Sequence, residues 1–106
     1  MSDFLTLKAD IIKNFGTPCA VVDLNVLEKN ISRVQKICDN AGLSNRPHIK
    51  THKSGEVARM QIDAGASGVT CQKLGEAEVM AAAGITDILI ATNLLGAAAS
   101  GALSAL

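Results

Sequence analysis

The sequence predicts an α/β fold in which short parallel strands alternate with amphipathic helices. One phrase, Ala-Gly followed by an aliphatic residue and then Ser or Thr, begins at residues 41, 64 and 83. Each copy ends a helix-like segment and precedes a strand-like one, and its glycine suits the left-handed position that ends a helix. The composition is 48% hydrophobic but only 2% aromatic. The core must therefore be aliphatic, which is typical of small βα units packed together.

The strand-like segments are short, and they lie at residues 19–22, 47–50, 68–71 and 87–91. Strands that alternate with helices form a parallel sheet with right-handed crossovers. A repeat of about 20 residues is typical of a (β/α)8 barrel, which needs about 250 residues. The chain has 106 residues. We therefore expect the first four βα units of a truncated barrel rather than a small open α/β domain, since four unclosed strands would leave apolar edges exposed.

Helices are predicted before, between and after these strands, at residues 4–14, 24–38, 54–64, 75–83 and 97–103. The second has apolar residues at helical spacing and begins with Asn25 and Glu28, which resemble a capping box. Ser54 is suited to cap the third helix. Glu76 and Glu78 lie in the first turn of the fourth helix, where the helix dipole stabilises carboxylates.

Charge and cysteine usage exclude several classes of protein. Ten Lys and Arg balance ten Asp and Glu, whereas a general nucleic-acid binder would have a basic excess. Three cysteines, at wide spacing and without C-x-x-C, indicate buried free thiols in a reducing cytosol. Residues 1–10 do not resemble a signal peptide, and the longest apolar stretch is too short for a membrane span. We expect a cytoplasmic protein with neither nucleic acid nor membrane as partner.

The strongest functional signal is the octapeptide RPHIKTHK at residues 46–53, which contains five basic or imidazole side chains. If it is a strand, alternate side chains share a face. Its polar face then consists of His48, Lys50 and His52, and its other face consists of Ile49 and Thr51. A lysine between two imidazoles on an enclosed strand face suits an amine nucleophile, because desolvation and nearby positive charge favour the neutral amine.

A neutral lysine amine can form a Schiff base with a carbonyl compound. Two simpler interpretations of residues 46–53 remain open. The segment is either an exposed edge strand kept basic to prevent aggregation, or a patch that binds phosphate or nucleic acid.

The octapeptide resembles the cofactor-lysine segment of a known enzyme family, the D-threonine aldolases and related metal-dependent D-serine dehydratases. Residues 68–80, GVTCQKLGEAEVM, and residues 87–93, DILIATN, are similar to later motifs of the same family. The resemblance covers about residues 17–96, with the motifs in the family's order. It implies a fold-type III pyridoxal phosphate enzyme with an alanine-racemase-like barrel and a second, β-rich domain.

By this resemblance, Lys50 matches the Schiff-base lysine that holds pyridoxal 5'-phosphate. The family also binds a divalent metal (Mn, Mg or Zn) through a His and an Asp or Cys near its C-terminal end. That region is absent here, so we expect no metal ligand within residues 1–106. We expect these residues to be a partial N-terminal cofactor-binding domain, without the second half-barrel or the β-domain, and we expect a homodimer when full length.

The resemblance implies a lyase that acts on a small D-amino acid. In a retro-aldol cleavage, a base takes the β-hydroxyl proton and the Cα–Cβ bond breaks, yielding glycine and an aldehyde from D-threonine. Pyridoxal phosphate supplies the electron sink, and a metal on the hydroxyl lowers its pKa. The alternatives are a D-serine dehydratase, a non-catalytic protein that binds pyridoxal phosphate, and an inert fragment. We expect the 106 residues alone to have no appreciable aldolase activity.

Four further residues are candidates for cofactor binding. His48 and His52 either orient the cofactor and tune Lys50, or are buried structural imidazoles. Gln72 and Asn93 lie at or just past strand ends, where barrel active sites gather. Their alternative role is to satisfy local backbone groups in turns.

The remaining charged residues near these motifs receive structural interpretations. Arg46 is interpreted as an ion-pair partner, Lys53 and Lys73 as surface charges, and Glu76 and Glu78 as charges at a helix N-terminus.

Overall fold

The structure, a computed structural model, describes residues 2–96 together with residues 101 and 104. Its elements in chain order are α1 (Ser2–Phe15), α2 (Leu24–Asn40), α3 (Gly55–Asp63), β1 (Val69–Cys71), α4 (Leu74–Ala82) and β2 (Ile88–Ile90). The helix predicted over residues 97–103 falls almost entirely outside the described residues. Within those residues, no helix is both long and apolar enough to cross a membrane.

The strands form a parallel arrangement centred on β1. β1 pairs with β2, and Thr70 lies opposite Leu89. On its other side, Thr70 forms a parallel bridge to His48. The Thr70 N–H donates to the Pro47 carbonyl oxygen (2.8 Å), and the Ile49 N–H donates to the Thr70 carbonyl oxygen (2.9 Å). Each pair of neighbouring strand segments is connected through a helix, so the predicted succession of parallel βα units is confirmed.

The first predicted strand, at residues 19–22, is not formed. These residues join no sheet, and the side chains of Val21 and Val22 are 64% and 57% exposed. β-branched residues favour a strand only when a neighbouring strand and a packed face are present. Here the described residues supply neither, so a suitable local composition does not produce a strand.

The Ala-Gly phrases end helices as predicted. In each, the alanine is the C-cap of a helix, and the following glycine has a positive φ: 67° at Gly42, 120° at Gly65 and 81° at Gly84. At the end of α2, the N–H of Leu43 donates to the Cys38 carbonyl oxygen at 2.9 Å, and the other two helices repeat this bond. This is the Schellman pattern, which satisfies carbonyl groups left free by the last turn.

The helix N-termini follow the sequence in part. Ser54 caps α3, and its hydroxyl accepts the backbone N–H three residues later at 3.3 Å. The predicted capping box of Asn25 and Glu28 is wrong, because the N-cap of α2 is Asp23, two residues before Asn25, and Asn25 lies inside the helix. The Asp23 carboxylate accepts the N–H of Val26 at 3.1 Å. Aspartate at this position satisfies one of the unpaired N–H groups of the first turn.

An aliphatic core lies between the strands and the helices α3 and α4. Its buried members are Ile49, Ala58, Val69, Cys71, Ala77, Met80 and Ile85. No aromatic side chain contributes to this cluster, as the composition predicts. All three cysteines are free thiols, but only Cys71 is buried. The prediction of buried thiols is wrong for Cys19, which is exposed on the segment that forms no strand.

The chain leaves a large apolar surface uncovered. Its radius of gyration is 17.0 Å, whereas a compact domain of this length has about 13 Å. The helix α1 contributes most to the exposed surface, with Phe4, Leu5, Leu7, Ile12 and Phe15 all at least 44% exposed. Monomeric soluble proteins rarely expose a contiguous apolar patch of more than a few hundred square ångströms.

At the amino ends of the strands, Arg46 and Asp87 form the ion pair expected for Arg46. The guanidinium donates to both carboxylate oxygens of Asp87, at 2.8 and 3.0 Å. This hydrogen bonding lowers the pKa of Asp87. Gly68 lies against the pair, and a Cβ added there would lie 2.5 Å from the Asp87 carbonyl oxygen.

We therefore expect Gly68→Ala to destabilise the protein, by about 1–3 kcal/mol as is typical for overpacking. Urea unfolding measures the change. Gly75→Ala is the matched control, because a Cβ at Gly75 would meet no atom within 4 Å. Equal unfolding midpoints for the two variants would show that the contact at Gly68 relaxes without cost.

Candidate active site

The candidate site lies at the carboxyl ends of the parallel strands. Thr70 stands between His48 and Leu89 in the sheet. Lys50 comes two residues after His48, and Gln72 comes two residues after Thr70. Both therefore lie just beyond the carboxyl ends of the paired segments, which form one edge of the sheet. Ligands of parallel α/β folds bind at the carboxyl ends of the strands. The structure therefore brings two of the predicted site residues to the same edge of the sheet.

Lys50 is presented by a tight turn rather than by a strand. The ladder ends after Ile49, and residues 50–52 form the turn. The Lys53 N–H closes it by donating to the Ile49 carbonyl oxygen at 2.8 Å. Lys53 has φ = 52°, a left-handed conformation that a residue other than glycine keeps only when its surroundings hold it. The side chain of Lys50 is exposed and makes no ion pair with another described residue.

The predicted alternation of the octapeptide holds at Ile49 and fails beyond it. Ile49 is fully buried in the core beneath the helices, as predicted. Thr51, predicted to share that face, is exposed because it lies in the turn. His48 is half-buried, and its Nδ1 accepts the Lys50 backbone N–H at 3.2 Å. The enclosure expected around Lys50 is not provided by the described residues.

His52 is held by helix α3 and does not share a strand face with Lys50. The Ser54 N–H donates to His52 Nδ1 at 3.0 Å, and His52 Nε2 lies 3.2 Å from Gln61 Oε1. Because Nδ1 accepts a hydrogen bond, the ring proton lies on Nε2 and is donated to Gln61. Desolvation by burial lowers the pKa of His52. This geometry favours the structural interpretation of His52.

The neutral form of His52 gives the folded state a definite dependence on pH. Because the pKa is below its ordinary value of 6.5 in the folded state, the unfolded chain binds more protons in the interval between the two values. Stability from this group is complete above pH 6.5 and is lost as the pH falls through the folded pKa. We expect His52→Gln to reduce the fall in urea stability below pH 6.5. If the free energy of unfolding of His52→Gln falls with pH as steeply as that of the parent, His52 is not the group responsible for the loss of stability.

Gln72 and Asn93 lie near the same edge, as predicted. Gln72 directly follows β1, and Asn93 lies three residues after β2. Both side chains are exposed, and neither amide makes a hydrogen bond to another described residue. The alternative role, in which these amides satisfy local backbone groups, is therefore not what the structure shows.

Glu76 lies in the first turn of α4, as predicted, but the sequence analysis did not predict its burial or its two partners. It is 5% exposed although it is a carboxylate. One oxygen pairs with the ammonium of Lys53, and the other accepts the N–H of Gln72 at 2.7 Å. The hydrogen bond from Lys53 is the largest of the causes that lower the pKa of Glu76. Lys53 is a surface charge, as predicted, because its side chain is 55% exposed, but it is also ion-paired with Glu76. The available signal was a glutamate three residues after the N-cap, which is half of a capping box.

The residues at this edge fit the lysine-bearing side of a pyridoxal phosphate site. The amine of Lys50 is accessible to an aldehyde, and the unengaged amides of Gln72 and Asn93 follow the other two strands of the same sheet. Among residues 2–96, no group of three or more His, Cys, Asp or Glu is arranged to hold a metal ion.

Comparison with known proteins finds one family. Residues 22–105 match the family model described as alanine racemase, N-terminal domain. The chain is 48% identical over 85 residues to a D-threo-3-hydroxyaspartate dehydratase of Delftia sp. (strain HT23), covering 80% of this chain and 22% of that protein.

Solved structures agree with this match. The crystal structure of a D-threonine aldolase from Filomicrobium marinum superposes with a TM-score of 0.80 at 39% identity, over 84% of this chain and 24% of that one. A metal-free form of the D-threo-3-hydroxyaspartate dehydratase C353A mutant gives a TM-score of 0.77 at 46% identity, over 86% of this chain and 24% of that one. The chain thus spans about a quarter of the length of these relatives.

Proposed function

The chain belongs to the alanine racemase N-terminal domain family, and from this premise we propose that it is the lysine-bearing part of a pyridoxal-phosphate-dependent lyase. We propose β-hydroxy-D-amino acids as its substrates, with retro-aldol cleavage of D-threonine-type compounds as the reaction. The observation that carries the proposal is the exposed amine of Lys50 at the carboxyl ends of parallel strands. The names of the two relatives, an aldolase and a dehydratase, support this substrate class.

In this proposal, the cofactor, when bound, supplies an electron sink for the bond that breaks at the substrate's α-carbon. The chain's own residues bind and orient. Lys50 Nζ would hold the aldehyde, and the hydrogen bond from its backbone N–H to His48 Nδ1 fixes the start of its turn. The free amides of Gln72 and Asn93 are suited to hydrogen-bond polar groups of the cofactor or the substrate.

A dehydratase is the second candidate, because the 48% identity is to an enzyme of that name. A dehydratase removes the β-hydroxyl group and leaves the carbon–carbon bond intact. The two reactions have different products, namely glycine and an aldehyde for the aldolase, and ammonia and an oxo acid for the dehydratase. Both use the same lysine, so the geometry of Lys50 supports both equally.

We further propose that the intact protein binds a divalent metal and forms a homodimer. A relative solved in a metal-free form supports the metal. The exposed apolar side chains of α1 support additional protein contacts. We assign no metal ligand to the described residues.

The test supplies the intact protein with pyridoxal phosphate and Mn²⁺ and offers it D-threonine, D-threo-3-hydroxyaspartate and D-serine in turn. We expect glycine from D-threonine. Ammonia and an oxo acid as the only products would select the dehydratase. Neither product from any of the three substrates would refute the lyase proposal. Residues 1–106 alone are expected to give no appreciable turnover, because Lys50 is exposed to water among the described residues.

A further inference from the structure

We propose that Glu76 is a positioning residue for Lys50. Its buried carboxylate joins the turn that presents Lys50 to the loop that carries Gln72, and it thereby sets the spacing between these two segments at the carboxyl ends of the strands. The link to the cofactor rests on the proposed function, whereas the join between the two segments rests on the geometry alone.

The environment of Glu76 differs sharply from that of its neighbour Glu78. Glu76 lies in the first turn of α4, where the helix dipole favours a carboxylate, whereas Glu78, predicted in the same turn, lies beyond it. Glu78 is exposed, whereas Glu76 is 5% exposed. A carboxylate is rarely buried unless its oxygens are paired and hydrogen-bonded. Stabilisation of the helix start requires no such burial, so the position of Glu76 needs a further reason.

The reason is that the two oxygens of Glu76 hold two different segments. Oε1 receives the ammonium of Lys53, which is 23 residues away in the chain and belongs to the preceding βα unit. Oε2 receives the backbone N–H of Gln72 at 2.7 Å. The Glu76 side chain therefore holds two segments at the same time. One is the turn that follows Ile49, and the other is the loop that follows β1.

Lys53 transmits this constraint to Lys50. Its backbone N–H closes the turn onto Ile49, its φ is 52°, and its ammonium is held by Glu76. Both ends of Lys53 are therefore fixed, and the three residues between Ile49 and Lys53 include Lys50. Without the carboxylate, the left-handed conformation of Lys53 loses the contact that holds its side chain.

Glu76→Gln is the informative change, because glutamine keeps the shape but has only one acceptor oxygen. Both partners of Glu76 are donors, so one of them must lose its acceptor. Glu78→Gln on the same helix removes the same charge from an exposed side chain and is the matched control. Lys53→Met, which removes the other member of the ion pair, tests the join from the opposite side.

The experiment measures backbone amide exchange and the dissociation constant of pyridoxal phosphate for the intact protein and these variants. In Glu76→Gln we expect faster exchange at Gln72 or Lys53, by about tenfold or more, as for the loss of one charge-assisted hydrogen bond. We expect weaker cofactor binding by about the same factor, since a displaced Lys50 loses pre-organisation. Glu78→Gln should match the parent in both measurements.

Lys53→Met removes the contact with Glu76 Oε1 but leaves the hydrogen bond from the Gln72 N–H to Oε2, so we expect faster exchange at Lys53, parent-like exchange at Gln72 and weaker cofactor binding. Parent-like exchange in Glu76→Gln, or faster exchange with unchanged cofactor affinity, would overturn the positioning role. Failure of the proposed function gives a different result, in which the parent protein itself does not bind pyridoxal phosphate.

Discussion

Replacing Lys50 with alanine is expected to abolish the lyase reaction of the intact protein. We expect kcat/KM to fall by about 10³-fold or more, which corresponds to about 4 kcal/mol of lost transition-state stabilisation. The physical reason is that alanine provides no amine to hold the aldehyde of the cofactor. The visible absorbance of the cofactor–protein complex should disappear in parallel with activity, so spectroscopy and turnover report the same loss.

Lys73→Ala is the matched control for this change. Lys73 is the N-cap of α4 and lies at the same edge of the sheet as Lys50. Its side chain is exposed and makes no capping hydrogen bond. We expect activity close to that of the parent. A Lys50→Ala protein that retains cofactor absorbance and turnover would contradict the assignment, as would a Lys73→Ala protein that loses both.

Replacing Ile49 with alanine is expected to have the largest effect on stability. Ile49 is fully buried between the strands and the helices and contributes to the cluster that contains Ala58 and Met80. Truncating a buried isoleucine costs about 2–5 kcal/mol, from lost burial and from the cavity left behind. The carbonyl of Ile49 also closes the turn that presents Lys50. The free energy of unfolding in urea measures the change.

Leu89→Ala is the comparison for Ile49→Ala, because Leu89 lies in β2 but is 51% exposed. Exposed sites of this kind change stability by about 0.5 kcal/mol or less. If the two variants unfold at the same urea concentration, the core is not centred on Ile49.

Features encoded by local chemistry could be predicted from the sequence. The glycine of each Ala-Gly phrase has a positive φ and ends a helix, because only glycine adopts that conformation without cost. The alternation of strands and helices follows from apolar spacing, and it places Lys50 and Gln72 at one edge of the sheet. Both features depend on residues close together in the chain.

Features that depend on distant contacts could not be predicted. The octapeptide resembles a complete strand, but it becomes a turn at Lys50. That turn is held by Glu76, 23 residues after Lys53, and no local pattern shows this pairing. His52 turns towards α3 because Gln61 accepts its ring proton. Residues 19–22 have strand composition, but a strand also needs a neighbour.

The most direct test of the central claim locates the cofactor on the chain. The intact protein is incubated with pyridoxal phosphate, reduced with borohydride and digested, and the peptide that carries the pyridoxyl group is identified by mass spectrometry. We predict a single modified residue, Lys50. A pyridoxyl group on Lys53 or Lys73, or none on any residue of this chain, would contradict the account.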